Sequence, residues 1–498
     1  MRITLISFYF SNPGIRFLSS YLKNHGIHTE LIFMLPDNMY DSNELFTDQI
    51  LNSLKSVSSM SRVIGISVMS NDFFRAKQLT NYLKINTQAI VIWGGIHPTV
   101  FPENIPHNVD YIYRGEGEHG FLEFIQSIIN NTDLKLCKNI SYFKNNQVFH
   151  NPLLPLMRDN ELDHFQDFDF ENHYIRHQNQ LVPVTFEIIK NQLHTDFEIN
   201  AKAFTVIFTR GCMHGCTYCC NNRINSIYSG EKNVFRSKTP QGMIDELTYI
   251  THKFPFIKFI YINDDNFLAN GFQIIDEFSK LYKAKIDLPF KVLGSPAVIT
   301  QEKIESLLYA GLREVHMGIQ TGSERVKREI YRRNISNQKV IEVDHFLSKF
   351  NLRKRYDFIF DNPYETKDDL LQTARLILQL QKPYIMQSFS LTFYQGTQLY
   401  DWAMRDGFIH DEIKEIFEKK SNEFSIKNVT YLKLICLAIS RLPTWISKIL
   451  LMRVFVTIFD NKIFSLFYKY LFIILNRYKK YFSYDIRKIY TKQFNKQF

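Results

Sequence analysis

A chain of 498 residues, 45% hydrophobic and 22% charged, is long enough for roughly two to four domains that each bury a core, which excludes a disulfide-stapled mini-domain and a disordered chain. The formal net charge of +10 sits in the tail, where 12 Lys or Arg from Arg441 onward face only Asp460 and Asp485; a near-neutral body excludes a general polyanion binder, and no nucleic acid is expected as a partner. Four of the six cysteines crowd between Cys212 and Cys220, which reads as metal or redox chemistry in a reducing cytoplasm.

The opening "MRITLISFYFSNPG" reads as a first strand and not a signal peptide, because its apolar run is short and lacks a small-residue cleavage site. Four further β-branched or aromatic runs follow, "HTELIFM", "VIGISV", "AIVIW" and "VDYIY", interleaved with helical patterns such as "IRFLSSYLKN" and "RAKQLTNYLK". This order predicts an α/β domain with a doubly wound parallel sheet over residues 1–135, closed by the helix "EHGFLEFIQSII". Residues 136–200, rich in Pro, Asn and Asp, read as a linker with one or two strands.

A second alternation runs over residues 201–405. The strands "AFTVIF", "IKFIYIN", "FKVLGS", "EVHMGIQ", "RYDFIF" and "SFSLTF" alternate with helices. Six βα units predict a partial TIM barrel, since a closed barrel usually takes about 250 residues. Residues 406–498 turn helical, aromatic and basic, and no run of about 18 uncharged apolar residues occurs. Helices that cap the open barrel are the first expectation for this region, helices that lie on an anionic membrane surface the second, and binding of an acidic partner or RNA the third.

The stretch "TRGCMHGCTYCC" follows the first strand of the second alternation. Cys212, Cys216 and Cys219 have C-x3-C-x2-C spacing, with Gly211 and Gly215 freeing the backbone. Three thiolates can hold three irons of a [4Fe-4S] cube and leave the fourth iron open to substrate. A zinc site would need a fourth ligand, for which His214, packed between Cys212 and Cys216, has awkward geometry, and Cys220, whose side chain diverges from that of adjacent Cys219, reads as structural and not as a fourth cluster ligand.

The motif "GCMHGCTYC", with Tyr218 before the third cysteine, resembles the radical S-adenosylmethionine (SAM) enzymes. The resemblance implies a [4Fe-4S] cluster on Cys212, Cys216 and Cys219 that chelates SAM and cleaves it to a 5′-deoxyadenosyl radical in a dry site. It further implies SAM contacts from the strand ends: Asp264 and Asp265 in "YINDDNFLAN", Ser295 after the third strand, Gln320 where many relatives carry an acid, and Ile359, Asn362 and Pro363 in "DFIFDNPYET".

In the first domain, "VIWGGIHPTVFPE" and "YIYRGEGEHGFLEF" resemble the cobalamin-binding domain that precedes the barrel in one large subgroup of that family. Gly94, Gly95, Gly115 and Gly117 would let a flat macrocycle approach the backbone, and His97, Pro98 and Thr99 would border its rim. The D-x-H-x-x-G loop that supplies a cobalt-ligating imidazole is missing, so the lower face would be covered by loops, with Asn71 of "VMSNDFF" nearest. The dinucleotide signature G-x-G-x-x-G is also missing after the first strand.

Together these resemblances, spanning roughly residues 1–405, imply a cobalamin-dependent radical SAM enzyme, a methyltransferase of unactivated carbon. A cyclase or rearrangement enzyme with the same cofactors, an RNA methylthiotransferase and a non-enzymatic cobalamin sensor are the alternatives. A reducing donor such as flavodoxin or ferredoxin, a small-molecule and lipid-like substrate, and a cytoplasmic location with peripheral membrane contact through the tail complete the expectations.

Overall fold

The computed structural model describes residues 1–471 apart from 38–43, 165–168, 197–198, 232–233, 420–429, 465–466 and 469. The strongly basic stretch from 472 onward, for which helices are expected, lies outside the described residues.

The five apolar runs at the start form parallel neighbours: β1 (Arg2–Ser7), β2 (His28–Phe33), β3 (Val63–Ser67), β4 (Ile90–Gly94) and β5 (Tyr111–Tyr113). They read as continuous apolar runs because helices cover both faces. Ile64, Ile66, Val91 and Trp93 pack under the helices Asp48–Ser58 and Phe73–Asn86. Ile3, Leu5 and Ile92 pack under Pro13–Asn24 and Glu118–Ile129.

The segment expected to be a linker instead extends this sheet at both edges. β6 (Ile140–Lys144) and β7 (Gln147–His150) form one hairpin, β8 (His173–His177) and β9 (Gln180–Pro183) another, giving the order β7-β6-β5-β4-β3-β1-β2-β8-β9. The first hairpin turns on Asn145 and Asn146, both with positive φ, the conformation a two-residue hairpin turn requires. The strand order reverses between β1 and β3, which opens a ligand crevice at the carboxyl ends.

In the second sheet β10 (Thr195–Asp196) is an antiparallel edge, followed in parallel by β11 (Ala201–Val206), then, after the small ribbon of β12 (Thr209–Arg210) and β13 (Arg236–Ser237), by β14 (Ile257–Ile262), β15 (Phe290–Gly294), β16 (Leu312–Gln320), β17 (Arg353–Phe360) and β18 (Ile385–Ser390). The six parallel strands are those the sequence predicts. Arg353 on β17 meets Asp196 on β10 at 2.8 Å, an ion pair between strands five places apart that only a curled sheet permits. The sheet is therefore a half-barrel, its outer face buried beneath helices through Phe204, Ile260, Val292, Val315 and Tyr356.

The helix Tyr431–Ile439 docks against the barrel helix Lys367–Gln379, and its Lys433 forms a buried ion pair with Asp361 at the end of β17. The described part of the C-terminal region is thus largely helical, and its helix Tyr431–Ile439 packs on the barrel. No described helix is long and apolar enough to cross a membrane.

Candidate active site

The cysteine loop leaves β12 at Gly211, where φ is +80° and a Cβ would lie 1.9 Å from the Val234 carbonyl oxygen; only glycine passes there. Cys212 and Cys216 are buried, Cys219 is half-buried, and all three are free thiols. Burial pushes the Cys212 thiol up to about 11. The loop is clamped from the barrel side. The Thr217 hydroxyl donates to the Ile330 carbonyl at 2.6 Å, the Thr217 amide to the Tyr331 carbonyl at 3.1 Å, and the Tyr218 ring packs edge-on against Tyr331 at 4.9 Å. Arg333, 7% exposed, points one guanidinium nitrogen at the Cys216 sulfur at 3.6 Å while the other donates to the Gly318 carbonyl at 2.7 Å. Sequence reasoning missed Arg333, since nothing in "REIYRRN" marks one arginine as facing a cysteine more than a hundred residues away.

Cys219 precedes the helix Cys220–Ile227. The neighbouring thiols interact, which raises that of Cys219 and lowers that of Cys220. Among the described residues no three His, Cys, Asp or Glu side chains converge as the ligands of one metal ion would.

The residues expected to contact SAM are not equivalent. Asp264 is fully buried, accepts from the Phe208 amide at 2.7 Å, and is pushed by burial up to about 7. It braces the strand end ahead of the cysteine loop and does not line a surface open to a ligand. Asp265 is exposed and accepts from the Asn221 side chain at 2.8 Å. Ser295 is also spent locally: it is 3% exposed, its amide donates to Asn266 Oδ1 at 3.1 Å, and its hydroxyl caps the turn Pro296–Val298. The Asn362 side chain donates to the Tyr331 hydroxyl at 3.2 Å and accepts from the Tyr364 amide at 3.0 Å. Ile359 faces the Tyr218 cluster, and Pro363 is exposed on the loop beyond β17. Gln320 stands apart: a bulge between Gly318 and Gln320 leaves it at φ +74°, with its amide oxygen buried and unpartnered among the described residues. A non-glycine residue held this way at a barrel strand end is stored strain of the kind found at functional sites.

In the first domain the structure gathers only part of the expected set. Gly95 has φ +99° and a Cβ there would crowd the Val68 backbone at 3.0 Å; Gly115 has φ +84° and a Cβ would meet the Tyr228 hydroxyl at 2.0 Å. Thr99 ties the two turns together, donating to the Gly95 carbonyl at 2.7 Å and accepting from the Gly115 amide at 3.0 Å. Gly94, closing β4, and Gly117, ahead of the helix Glu118–Ile129, stand beside these turns, and Pro98 is buried.

His97 is not a rim residue. It is 0% exposed, 3.0 Å from the Ser70 hydroxyl, and ringed by Phe73, Phe101 and Phe417, and burial pushes it down to about 4, so it is a neutral plug. Asn71 lies beside Tyr394, beyond β18, and favours its phenolate.

A cavity of about 230 Å³ lies where the two domains meet, lined by Gly95, Thr99 and Gly115 on one side and Gly211, Asn221 and Tyr228 on the other. The ion pairs Arg210–Glu118 at 2.5 Å and Arg236–Glu116 at 2.9 Å tie the domains together beside it.

Comparisons with known proteins agree with this layout. The family model for the B12 binding domain matches residues 3–125 and that for the radical SAM superfamily matches residues 206–377. An uncharacterized methyltransferase of Pyrococcus horikoshii is 24% identical over 352 residues, 70% of each chain. The anaerobic magnesium-protoporphyrin IX monomethyl ester cyclase of Synechocystis is 21% identical over 63% of this chain and 58% of its own length. The fold is that of the cobalamin-dependent SAM radical enzyme OxsB (TM-score 0.65, 15% identity, 96% of this chain and 75% of that one) and of the radical SAM methyltransferase TsrM from Kitasatospora setae (TM-score 0.60, 13% identity, 80% and 76%).

The residues present fit the cofactors these matches imply. Three free thiols beside a buried guanidinium suit a thiolate-ligated [4Fe-4S] cluster that leaves one iron for SAM. Two glycine turns at positive φ, where a Cβ would crowd the Val68 backbone or displace the Tyr228 hydroxyl, suit a cobalamin face with no histidine offered to cobalt. With a B12-binding domain and a radical SAM half-barrel facing one cavity, the chain belongs to the cobalamin-binding-domain-containing radical SAM enzymes, and its cofactors are a [4Fe-4S] cluster, SAM and cobalamin.

Proposed function

We propose that the enzyme is a C-methyltransferase acting on an unactivated carbon of a small, lipid-like molecule. The observation that carries this reading is the shared cavity, because hydrogen abstraction and methyl delivery must act on one substrate atom without its leaving the site. When bound, the cluster supplies the electron that cleaves SAM, and cobalamin carries the methyl group. The chain's own part is to hold and to exclude. Thr217 and Arg333 fix the cysteine loop, and the aromatic plug around His97 keeps its imidazole out of the cavity lining, so that it would not be offered to a bound cobalamin.

Anaerobic enzyme supplied with SAM, cobalamin, a flavodoxin or ferredoxin donor and candidate substrates is expected to release 5′-deoxyadenosine and S-adenosylhomocysteine together, with a product about 14 Da heavier. 5′-Deoxyadenosine with an unmethylated, rearranged product would favour the second reading, radical cyclisation, which the similarity to the Synechocystis cyclase supports.

Peripheral membrane contact belongs to the same proposal. The short helices Thr444–Leu450 and Arg453–Phe459 expose Trp445, Ile449, Val454 and Ile458 together with Lys448 and Arg453, the mixture of apolar and basic groups that favours an anionic bilayer surface.

A further inference from the structure

The lumen of the half-barrel carries charge that the cofactors do not explain. Along β15, β16 and β17, Val292, Val315, Met317, Tyr356 and Phe358 join the helix-covered core, so strand alternation sends Lys291, Glu314, His316, Arg355 and Asp357 inward. Most of these groups are paired. Glu314 ion-pairs with Arg353 and accepts from Arg355 at 2.8 Å, Arg353 also holds Asp196 at 2.8 Å, and His316 Nε2 lies 2.7 Å from Asp357 Oδ1.

Two loose ends remain. The Lys291 ammonium makes no hydrogen bond or ion pair among the described residues and sits over the Tyr261 ring at 3.8 Å; burial pushes it down to about 8. His316 Nδ1 is buried and without a partner among the described residues. The two side chains face the same lumen from adjacent strands, since Lys291 pairs with Glu314 and Leu293 with His316. His316 stands two residues before Gly318, whose carbonyl is bound by the arginine that touches Cys216.

We propose that Lys291 and the free Nδ1 of His316 form an oxyanion subsite that takes a carboxylate or phosphate of the substrate and so aims its reacting carbon at the cysteine loop. This rests on the methyltransferase reading and extends its substrate compartment from the shared cavity into the lumen. The Lys291 ammonium would supply the charge opposite to one bound oxyanion, and a proton shared between that oxyanion and the free Nδ1 would supply the second contact. Without the ligand, the lysine is a partly buried cation whose neighbouring carboxylate, Glu314, is already engaged by Arg353 and Arg355, an arrangement that costs free energy. Leu293 and Ile359, inward-facing farther along β15 and β17, offer an aliphatic body a dry wall.

The test measures the melting midpoint of the cluster- and cobalamin-loaded full chain against inorganic phosphate, octanoate and neutral octanamide, in wild type, K291M, K291R and H316Q. The expected result is a saturable rise with phosphate or octanoate but not octanamide, weakened about tenfold or more in K291M and H316Q and largely kept in K291R. Phosphate and octanoate separate the two oxyanion sources. Equal responses in wild type and K291M, or no response of wild type to either anion, would overturn the subsite. S-Adenosylhomocysteine release by the loaded enzyme, measured in parallel, reports on the methyltransferase reading independently: its absence in wild type sinks that reading and leaves the anion result standing.

Discussion

Cys212, Cys216 and Cys219 do not shape their loop unaided. The backbone of Thr217, the Tyr218 ring and the Cys216 sulfur are all gripped by residues 330–333, so the thiols are preorganised before any iron arrives. Alanine at any of the three is expected to abolish the cluster's charge-transfer absorption after reconstitution, whereas C220A keeps it; loss in C220A would make that residue a ligand. Asp264 permits a second test. Its carboxyl stands at about 7 against an ordinary 3.8, so the fold favours the protonated form. Stability from this group is full below the ordinary value and is lost as pH rises through the folded one. D264N retains an acceptor for the Phe208 amide. Relative to wild type it is expected to gain stability between about pH 5 and about pH 8, by on the order of a few kcal/mol, as read by thermal melts. At this scale the cysteines were legible because their spacing alone encodes the chemistry. Arg333 and the plugging of His97 were not, because a side chain's partner across the fold leaves no local trace.

Among the elements, strand identity was read well where apolar runs are long. The six parallel strands of the half-barrel and the five of the first sheet are buried on their outer or both faces, which forces continuous or alternating apolar patterns. Only one or two strands are expected where β6 to β9 form, because these are four or five residues long and carry polar residues at the sheet edges; the Asn145–Asn146 pair was the available signal. The junction of elements is where substitutions should tell most. Gly115 meets Tyr228, which follows the helix after the cysteine loop, so G115A must both strain a left-handed backbone and displace that tyrosine. It is expected to cost about 1–3 kcal/mol and to weaken cobalamin retention on gel filtration; unchanged retention with an unchanged melt would remove Gly115 from the cradle.

For the molecule as a whole, composition located the charge but not its use. Lys433 leaves the tail to pair with Asp361 at the barrel rim, so removal of everything from residue 430 would damage the barrel and could not report on membranes. Flotation with anionic vesicles is better done on the full chain carrying W445S, I449S and V454S. Wild type is expected to float and the triple variant to remain behind, and equal flotation of both would end the membrane assignment.

The central claim is that the cluster loop and the cobalamin turns open on one cavity. Electron paramagnetic resonance of the anaerobic enzyme, with the cluster reduced and cobalamin held as cob(II)alamin, tests it most directly. The account predicts signals broadened by mutual spin coupling; two unperturbed spectra that simply add would contradict it.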